Sequence, residues 1–291
     1  MMSRIASFST AIAFTALLGA RAVAQQAPAP ISIQPLRDGV YLIKGGAGAN
    51  AGLIVGRREA VVIDAKMTEE SAKAMLAEIR KVTPNPVKRL ILTHSDGDHV
   101  NGLAGFPTGL AILAHPNTRK DMEEAFKDPK LSALAAWLPT ELVSGERDLR
   151  IEGVHMRLLH FGPAHTQGDL VVFLPEQRVA FVGDLLFFGR DPLIHRHKNG
   201  SSFGLVATLK RLLTLEADTF VSGHADPAGK AQIQELLASL QERQDKIKGL
   251  IAQGKTLEEI KAAFGVTEPP AAQRRRPGLV EVIYLELTEK K

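Results

Sequence analysis

The chain contains no cysteine. Disulfides, thiolate nucleophiles and cysteine-ligated zinc are therefore excluded from the start. Aromatic residues are scarce, with one Trp, two Tyr and twelve Phe among 291 residues. That scarcity argues against a surface that stacks sugars or nucleic-acid bases. A strong excess of charge of one sign is also missing, since the formal net charge is only +4. The one basic run, Gln273-Arg274-Arg275-Arg276-Pro277, stands beside prolines late in the chain. It reads as a solvated loop, because nucleic-acid binding needs a broader basic face. The expected partner is a small-molecule substrate, with no nucleic acid. No feature of the sequence fixes an oligomeric state.

The first 24 residues read as a signal peptide. Arg4 supplies the positive start, Ile5 to Gly19 is mostly apolar, and Ala22-Val23-Ala24 gives a small-x-small cleavage pattern before Gln25. The apolar part is too short for a comfortable membrane span, although an uncleaved anchor is the competing reading. Cleavage would remove two arginines and no acid, leaving a net charge of +2. The expected location is periplasmic or secreted, with no stable membrane insertion afterwards. Gln25 to Pro30 (QQAPAP) is a Pro/Ala spacer. The length suits one large domain, placed at residues 31–250, with 251–291 as a C-terminal extension packed on it.

Within that domain, Ile31 to Lys44 alternates apolar and polar residues around Asp38-Gly39, which predicts a hairpin. Residues 45–52 form a small-residue loop, expected to be a mobile hairpin tip at the edge of a site. No Lys-Ser/Thr pair follows it, so a phosphate-cradling loop is not supported. Strands are predicted at 53–55, 60–64, 87–92, 111–114, 151–160, 169–174, 179–182 and 219–222. Helices are predicted at 68–81, 118–126, 131–137, 203–215, 230–252 and 256–264, the last opened by Thr256 with Glu259 three residues on. Residues 279–287 fit a strand or a helix equally. Two strand-rich halves, each with helices, indicate an α/β sandwich.

Four apolar strands are each followed by polar residues suited to binding a metal. The richest segment is Thr93-His94-Ser95-Asp96-Gly97-Asp98-His99, where two histidines and two aspartates occupy six residues. Then come Gly162-Pro163-Ala164-His165-Thr166-Gln167-Gly168-Asp169, Gly183-Asp184 and Gly223-His224. Imidazole and carboxylate donors suit zinc, iron or manganese. Neighbouring glycines let the backbone approach a common centre closely. One such ligand would be unremarkable, whereas four segments of one design point to a metal site. His115, His155 and His160 are expected to be structural or exposed. Asp64 ends its strand, either orienting the site from behind or helping the chain turn. His195 and His197, in a basic loop after Asp184, could meet an anionic substrate group, and Asn50 lies on the small-residue loop beside the site. Ser201 and Ser202 lack the strand–elbow–helix setting of a nucleophile.

These motifs, in this order, resemble the metallo-β-lactamase-fold hydrolase superfamily. Its signature runs Thr-His-x-His-x-Asp-His, Gly-x-x-His-Thr-x-Gly-Asp, Gly-Asp and a late Gly-His. The resemblance covers roughly residues 31 to 250 and is strongest to the glyoxalase II-like thioesterases. It implies an αββα four-layer sandwich with a dinuclear site at one edge of two sheets. By match to the signature, His94, Asp96 and His165 would hold one divalent ion, and Asp98, His99 and His224 the other. Asp184 would bridge them. The implied chemistry is a metal-held hydroxide attacking a carbonyl of an ester, thioester, lactone or lactam, with Asp98 steering it.

Asp96 departs from the signature, which has a second histidine there. That histidine usually binds through the ring nitrogen two bonds from Cβ, and an aspartate oxygen is also two bonds from Cβ. The flavodiiron branch likewise places a carboxylate, Glu, at this position. Two divalent ions with Asp96, Asp98 and Asp184 leave +1 at the centre rather than the family's usual +2. Zinc is the expected metal, and the harder ligand set improves the prospects of iron or manganese. The alternatives are a β-lactamase proper, an iron-dependent sulfur dioxygenase-like oxidoreductase, or a periplasmic metal-binding protein without turnover.

Overall fold

The computed structural model describes residues 28–267 and 276–289. The signal-peptide expectation at 1–24, most of the spacer, and Arg274 and Arg275 lie outside the described residues. In chain order the elements begin with β1 (Ser32–Arg37), β2 (Val40–Lys44), β3 (Ala51–Val55), β4 (Ala60–Ile63), α1 (Glu69–Val82) and β5 (Val87–Ile91). There follow α2 (Gly97–Val100), β6 (Ala111–Ala114), α3 (Pro116–Ala125), β7 (Glu141–Leu142), β8 (Glu146–Ile151), β9 (Val154–Leu159), β10 (Val171–Leu174) and β11 (Val179–Gly183). The chain closes with α4 (Ser202–Thr214), β12 (Thr219–Ser222), α5 (Lys230–Ala252), α6 (Leu257–Ala263) and α7 (Leu279–Thr288). No helix among the described residues is long and apolar enough to cross a membrane.

The strands form two sheets, one ordered β1-β2-β3-β4-β5-β6-β7 and the other β12-β11-β10-β9-β8. Strands β4 to β7 run parallel, as do β11 and β12, while the remaining neighbours are antiparallel. The central strands are apolar on both faces, and alternate residues therefore enter different cores. In β5 and just beyond it, Leu90 and Leu92 face α1 with Met75 and Ile79. Ile91, between them, faces the second sheet with Val172, Phe181 and Val221. On the far side, Val171, Phe173 and Phe220 pack against Leu205, Leu209, Ile233 and Leu240 of α4 and α5. Three apolar cores between four layers make this an αββα sandwich, the architecture that the resemblance implied. Fully burying side chains of this size stabilises by about 1.5–3 kcal/mol each.

Local chemistry sets the ends of the helices. Thr68 caps α1, accepting a hydrogen bond from the Ser71 amide. Thr256 and Glu259 cap α6 reciprocally, as their spacing predicted.

The differences from the sequence-based elements have physical causes. Residues 151–160 are not one strand but the end of β8, a turn at Glu152-Gly153, and β9. The charged alternation of β8 (ERDLRI) suits an exposed edge strand and carries little apolar signal. Ser132–Trp137 is a 3₁₀ turn. The undecided segment 279–287 is helical, with Leu279, Val280, Val282 and Ile283 inserted into the α4–α5 core. The loop at 45–50 is pinned, in contrast to the mobile tip expected. Buried Lys66 donates to the Gly45 and Ala49 carbonyls at 2.9 and 2.7 Å, and the Ala49 amide donates to the Asp98 carbonyl.

Candidate metal centre

All four ligand segments meet where strands of both sheets end. β5 delivers His94, and the chain then turns into the one-turn helix α2. Asp96 occupies the position before α2, where an aspartate ordinarily caps the helix, yet its side chain makes no capping bond. Its carboxylate turns toward the site instead. Asp98 and His99 follow inside α2. The loop after β9 carries His165, braced by the Thr166 amide and hydroxyl, which donate to the buried Asp169 carboxylate. β11 ends at Gly183, whose φ of 52° turns the chain to present Asp184. Gly223 leads into His224 after β12 and packs directly on Asp184 and His99.

Two groups of donor atoms result. In the first, His94, Asp96, His165 and Asp184 each offer an atom within 4.8 Å of all the others. In the second, Asp98, His99 and His224 do the same. Asp184 joins them. Its Oδ1 lies 3.2 Å from His99 Nε2, and its Oδ2 lies 3.2 Å from His224 Nε2 and 4.0 Å from both His94 and His165 Nε2. The seven ligand positions expected from the sequence are thus brought together as two adjoining sets.

The hydrogen bonds behind the ligands decide which ring nitrogen is left to bind. Asp64 Oδ2 accepts from His99 Nδ1 at 2.7 Å and from the Thr93 hydroxyl at 2.8 Å. Because the Thr93 hydroxyl donates to Asp64, it accepts from His94 Nδ1 at 3.0 Å. His165 Nδ1 donates to the Leu193 carbonyl at 2.7 Å, an oxygen that can only accept. In all three rings Nδ1 is committed to a partner behind the site, so Nε2 is the nitrogen aimed inward, where a metal can displace its proton. His94 Nε2, His99 Nε2 and Asp184 Oδ1 are buried with no hydrogen-bond partner. A buried donor set of this kind is costly unless a cation completes it. The residues therefore fit divalent ions.

Without a metal, protons on the histidines balance the carboxylates. Burial opposes a charge on Asp184, but His99 and His224 outweigh it and hold that carboxyl well below the usual range. Burial likewise opposes protonation of His99, while Asp184 and Asp64 outweigh it and hold its pKa well above normal. Hydrogen bonds to Asp184 and Asp98 push His224 up to about 9. His94 moves the other way, pushed down by burial and by neighbouring His99 and His165.

The remaining expected residues fall as follows. His195 is buried and donates from Nε2 to Asp96 Oδ2 at 2.6 Å, making it a partner of the metal centre. His197 lines the open cleft of about 640 Å³ above the site, with Met67, Asp96, Asp98, Lys198 and Arg276. The Asn50 amide donates to the Ser222 and Ala225 carbonyls at 3.0 and 2.9 Å, holding its loop against that of His224. His115 accepts from the Asn117 amide at the start of α3 and stacks on His160 at 4.0 Å. Both are structural, as expected. Sequence reasoning named the loop of Lys198 without giving that residue a role, and it placed Arg276 in a solvated run. Lys198 Nζ donates to Asp96 Oδ1 at 2.7 Å, and Arg276 reaches the cleft from beyond α6. No local pattern signals either contact.

Comparison with known proteins agrees with this geometry. A family model described as the metallo-beta-lactamase superfamily matches residues 45–224. The alpha subunit of 2,4-dinitroanisole O-demethylase from Nocardioides sp. is 28% identical over 197 residues, covering 67% of this chain and 57% of that protein. The hydroxyacylglutathione hydrolase GloC of Haemophilus influenzae is 29% identical over 125 residues, covering 40% of this chain and 58% of that protein. The chain thus spans a little over half the length of these relatives. A solved metallo-beta-lactamase from Pontibacter korlensis has a TM-score of 0.62 at 19% identity, covering 72% of this chain and 99% of that one, a likeness of fold. Four-layer architecture, motif order and the matched span converge on one conclusion: the chain belongs to the metallo-beta-lactamase superfamily.

Proposed function

We propose that this protein is an exported, metal-dependent hydrolase of carbonyl compounds, acting on an ester or thioester, with lactones and lactams as further substrate classes. The observation that carries this reading is the convergence of the His94, His99 and His165 Nε2 atoms and the Asp184 carboxylate beneath an open cleft. The relative named hydroxyacylglutathione hydrolase supports the hydrolase assignment. Divalent ions held by such a set, zinc first, with iron or manganese admitted by Asp96, would supply Lewis acidity that acidifies water and polarises a substrate oxygen.

The chain's own residues supply the rest. Asp64 and Thr93 fix the orientation and tautomer of His99 and His94. Asp98 is the most solvent-accessible of the site's carboxylates, with its side chain 28% exposed, and it lies 3.0 Å from His224 Nε2. It is placed to accept a proton from the attacking water and to return it to the leaving group, a role worth about 10²–10⁴-fold in rate. The cleft admits a small molecule, and Met67 gives its mouth an apolar wall.

The test begins with the metal content of protein purified from its own compartment. A panel of thioester, ester, lactone and chromogenic cephalosporin substrates follows. Asp98→Asn is expected to lose about 100-fold or more in kcat/KM. Full metal loading without turnover on any substrate would favour a metal-binding protein, and oxygen consumption with a thiol persulfide would favour an oxidoreductase.

A further inference from the structure

We infer that Lys198 is the charge-compensating partner of Asp96, so that the aspartate–lysine pair takes the electrical place of a neutral histidine ligand. This rests on the metal-centre reading above and extends it to a residue outside the ligand motifs.

The two oxygens of Asp96 face opposite ways. Oδ2 points inward, 3.2 Å from His165 Nε2 and 3.9 Å from His94 Nε2. The His165 proton is held on Nδ1 by the Leu193 carbonyl. Its Nε2 is therefore the nitrogen that faces Asp96 Oδ2, joined to it by a proton when no metal is bound and open to a cation that displaces that proton. His195 donates to the same oxygen at 2.6 Å. A carboxylate oxygen has two acceptor sites, so that hydrogen bond and a metal can share it. Oδ1 points outward and accepts from Lys198 Nζ at 2.7 Å.

Lys198 is fixed in this position. Its Nζ also donates to the Ser95 hydroxyl at 3.0 Å and to the Ser95 carbonyl at 3.2 Å. Its backbone is tied on both sides, the Lys198 amide donating to the His195 carbonyl and the Gln167 amide to the Lys198 carbonyl. The ammonium thus meets the one ligand whose charge departs from the family pattern, on the oxygen turned away from the other ligands. Two divalent ions with Asp96, Asp98 and Asp184 give +1, and Lys198 returns the total to +2. That is the value expected with a histidine at position 96 and no lysine beside it.

A double-mutant cycle on the full-length protein tests this, reading zinc affinity by competition with a chromophoric chelator and no substrate. Asp96→His alone leaves the lysine charge uncompensated and is expected to weaken the first site by about 10- to 100-fold, the range of changes around metal ligands. Adding Lys198→Met is expected to restore affinity to within roughly threefold of the starting protein, a strong coupling between the two positions. Lys198→Met alone removes positive charge and is expected to bind zinc at least as tightly as before. A lysine that merely props the loop would make that variant bind more loosely. The inference is overturned if the double variant binds no better than Asp96→His, if Lys198→Met weakens zinc binding, or if Asp96→Ala keeps both ions. Circular dichroism on each variant identifies any that misfolds, and Lys198→Gln then stands in for Lys198→Met. Wild-type protein that binds no ion would overturn the metal centre and this pairing together. A failed hydrolase panel with zinc bound would leave the cycle to decide the pairing.

Discussion

Gly223 gives the sharpest test of how closely the site is packed. A Cβ built at this residue falls 2.3 Å from Asp184 Oδ1 and 3.0 Å from His99 Nε2. The closest ordinary carbon–oxygen contacts are about 3.3 Å, so Gly223→Ala must drive the bridging carboxylate and the backbone apart by roughly 1 Å. Asp184 cannot simply swing away, because it is buried and lies between His99 and His224. Overpacking of this kind costs about 1–3 kcal/mol, or roughly 2–12 °C in melting temperature for a domain of this size. Metal affinity is expected to fall by about 10- to 100-fold, and activity by a similar factor, since a misplacement near 1 Å costs about 10²-fold. Gly249→Ala provides the control. It lies in α5 with nothing within 4 Å of an added Cβ, and helix propensity predicts a gain of about 0.5–1 kcal/mol. Chelator competition and thermal melting of both variants form the assay. If Gly223→Ala keeps wild-type zinc affinity and melting temperature, the inferred crowding around Asp184 is wrong.

Two further outcomes are open to measurement. Asp64→Asn keeps the side-chain shape and tolerates the left-handed φ of 62° at this residue. It removes the carboxylate that accepts from His99 and Thr93, and metal affinity should fall by about 10- to 100-fold; unchanged affinity would remove Asp64 from the ligand-orienting role. The second concerns pH. In the metal-free protein the His224 pKa is held near 9, above its ordinary 6.5. A raised folded-state pKa gives stability that is fully present below pH 6.5 and is lost as pH rises through 9. Chelator-treated protein should therefore melt at progressively lower temperature across that window, while metal-loaded protein should not, because a cation replaces the proton. A flat melting profile without metal would contradict the assigned pairing of His224 with Asp98 and Asp184.

The ligand centre was legible in the sequence because each donor sits at a strand end within a short motif, and strand ends follow from apolar runs. For Asp64 the sequence left two roles open, orienting the site or turning the chain, and only the structure shows its contacts with His99 directly and with His94 through Thr93. The elements missed or left undecided from sequence share a weak local signal. β8 is an edge strand rich in charge, and 279–287 is apolar enough for either periodicity until the α4–α5 surface receives one face of it. The loop at 45–50 looked mobile by composition. Its order comes from the buried Lys66 side chain, which reaches back to its carbonyls.

The sequence by itself determined the donor types, their order and their spacing, and with them the family and the four-layer fold. Tertiary structure decided how those donors are completed. Lys198 meets Asp96 across 102 residues of chain, His195 across 99, and Arg276 enters the cleft from beyond α6. Such contacts leave no periodicity to read, because they depend on where loops from separate strands converge. Burial of Asp96 and His195 then reduces the water that would otherwise screen their contact. For that reason the departure at position 96 can be understood only with its lysine in view.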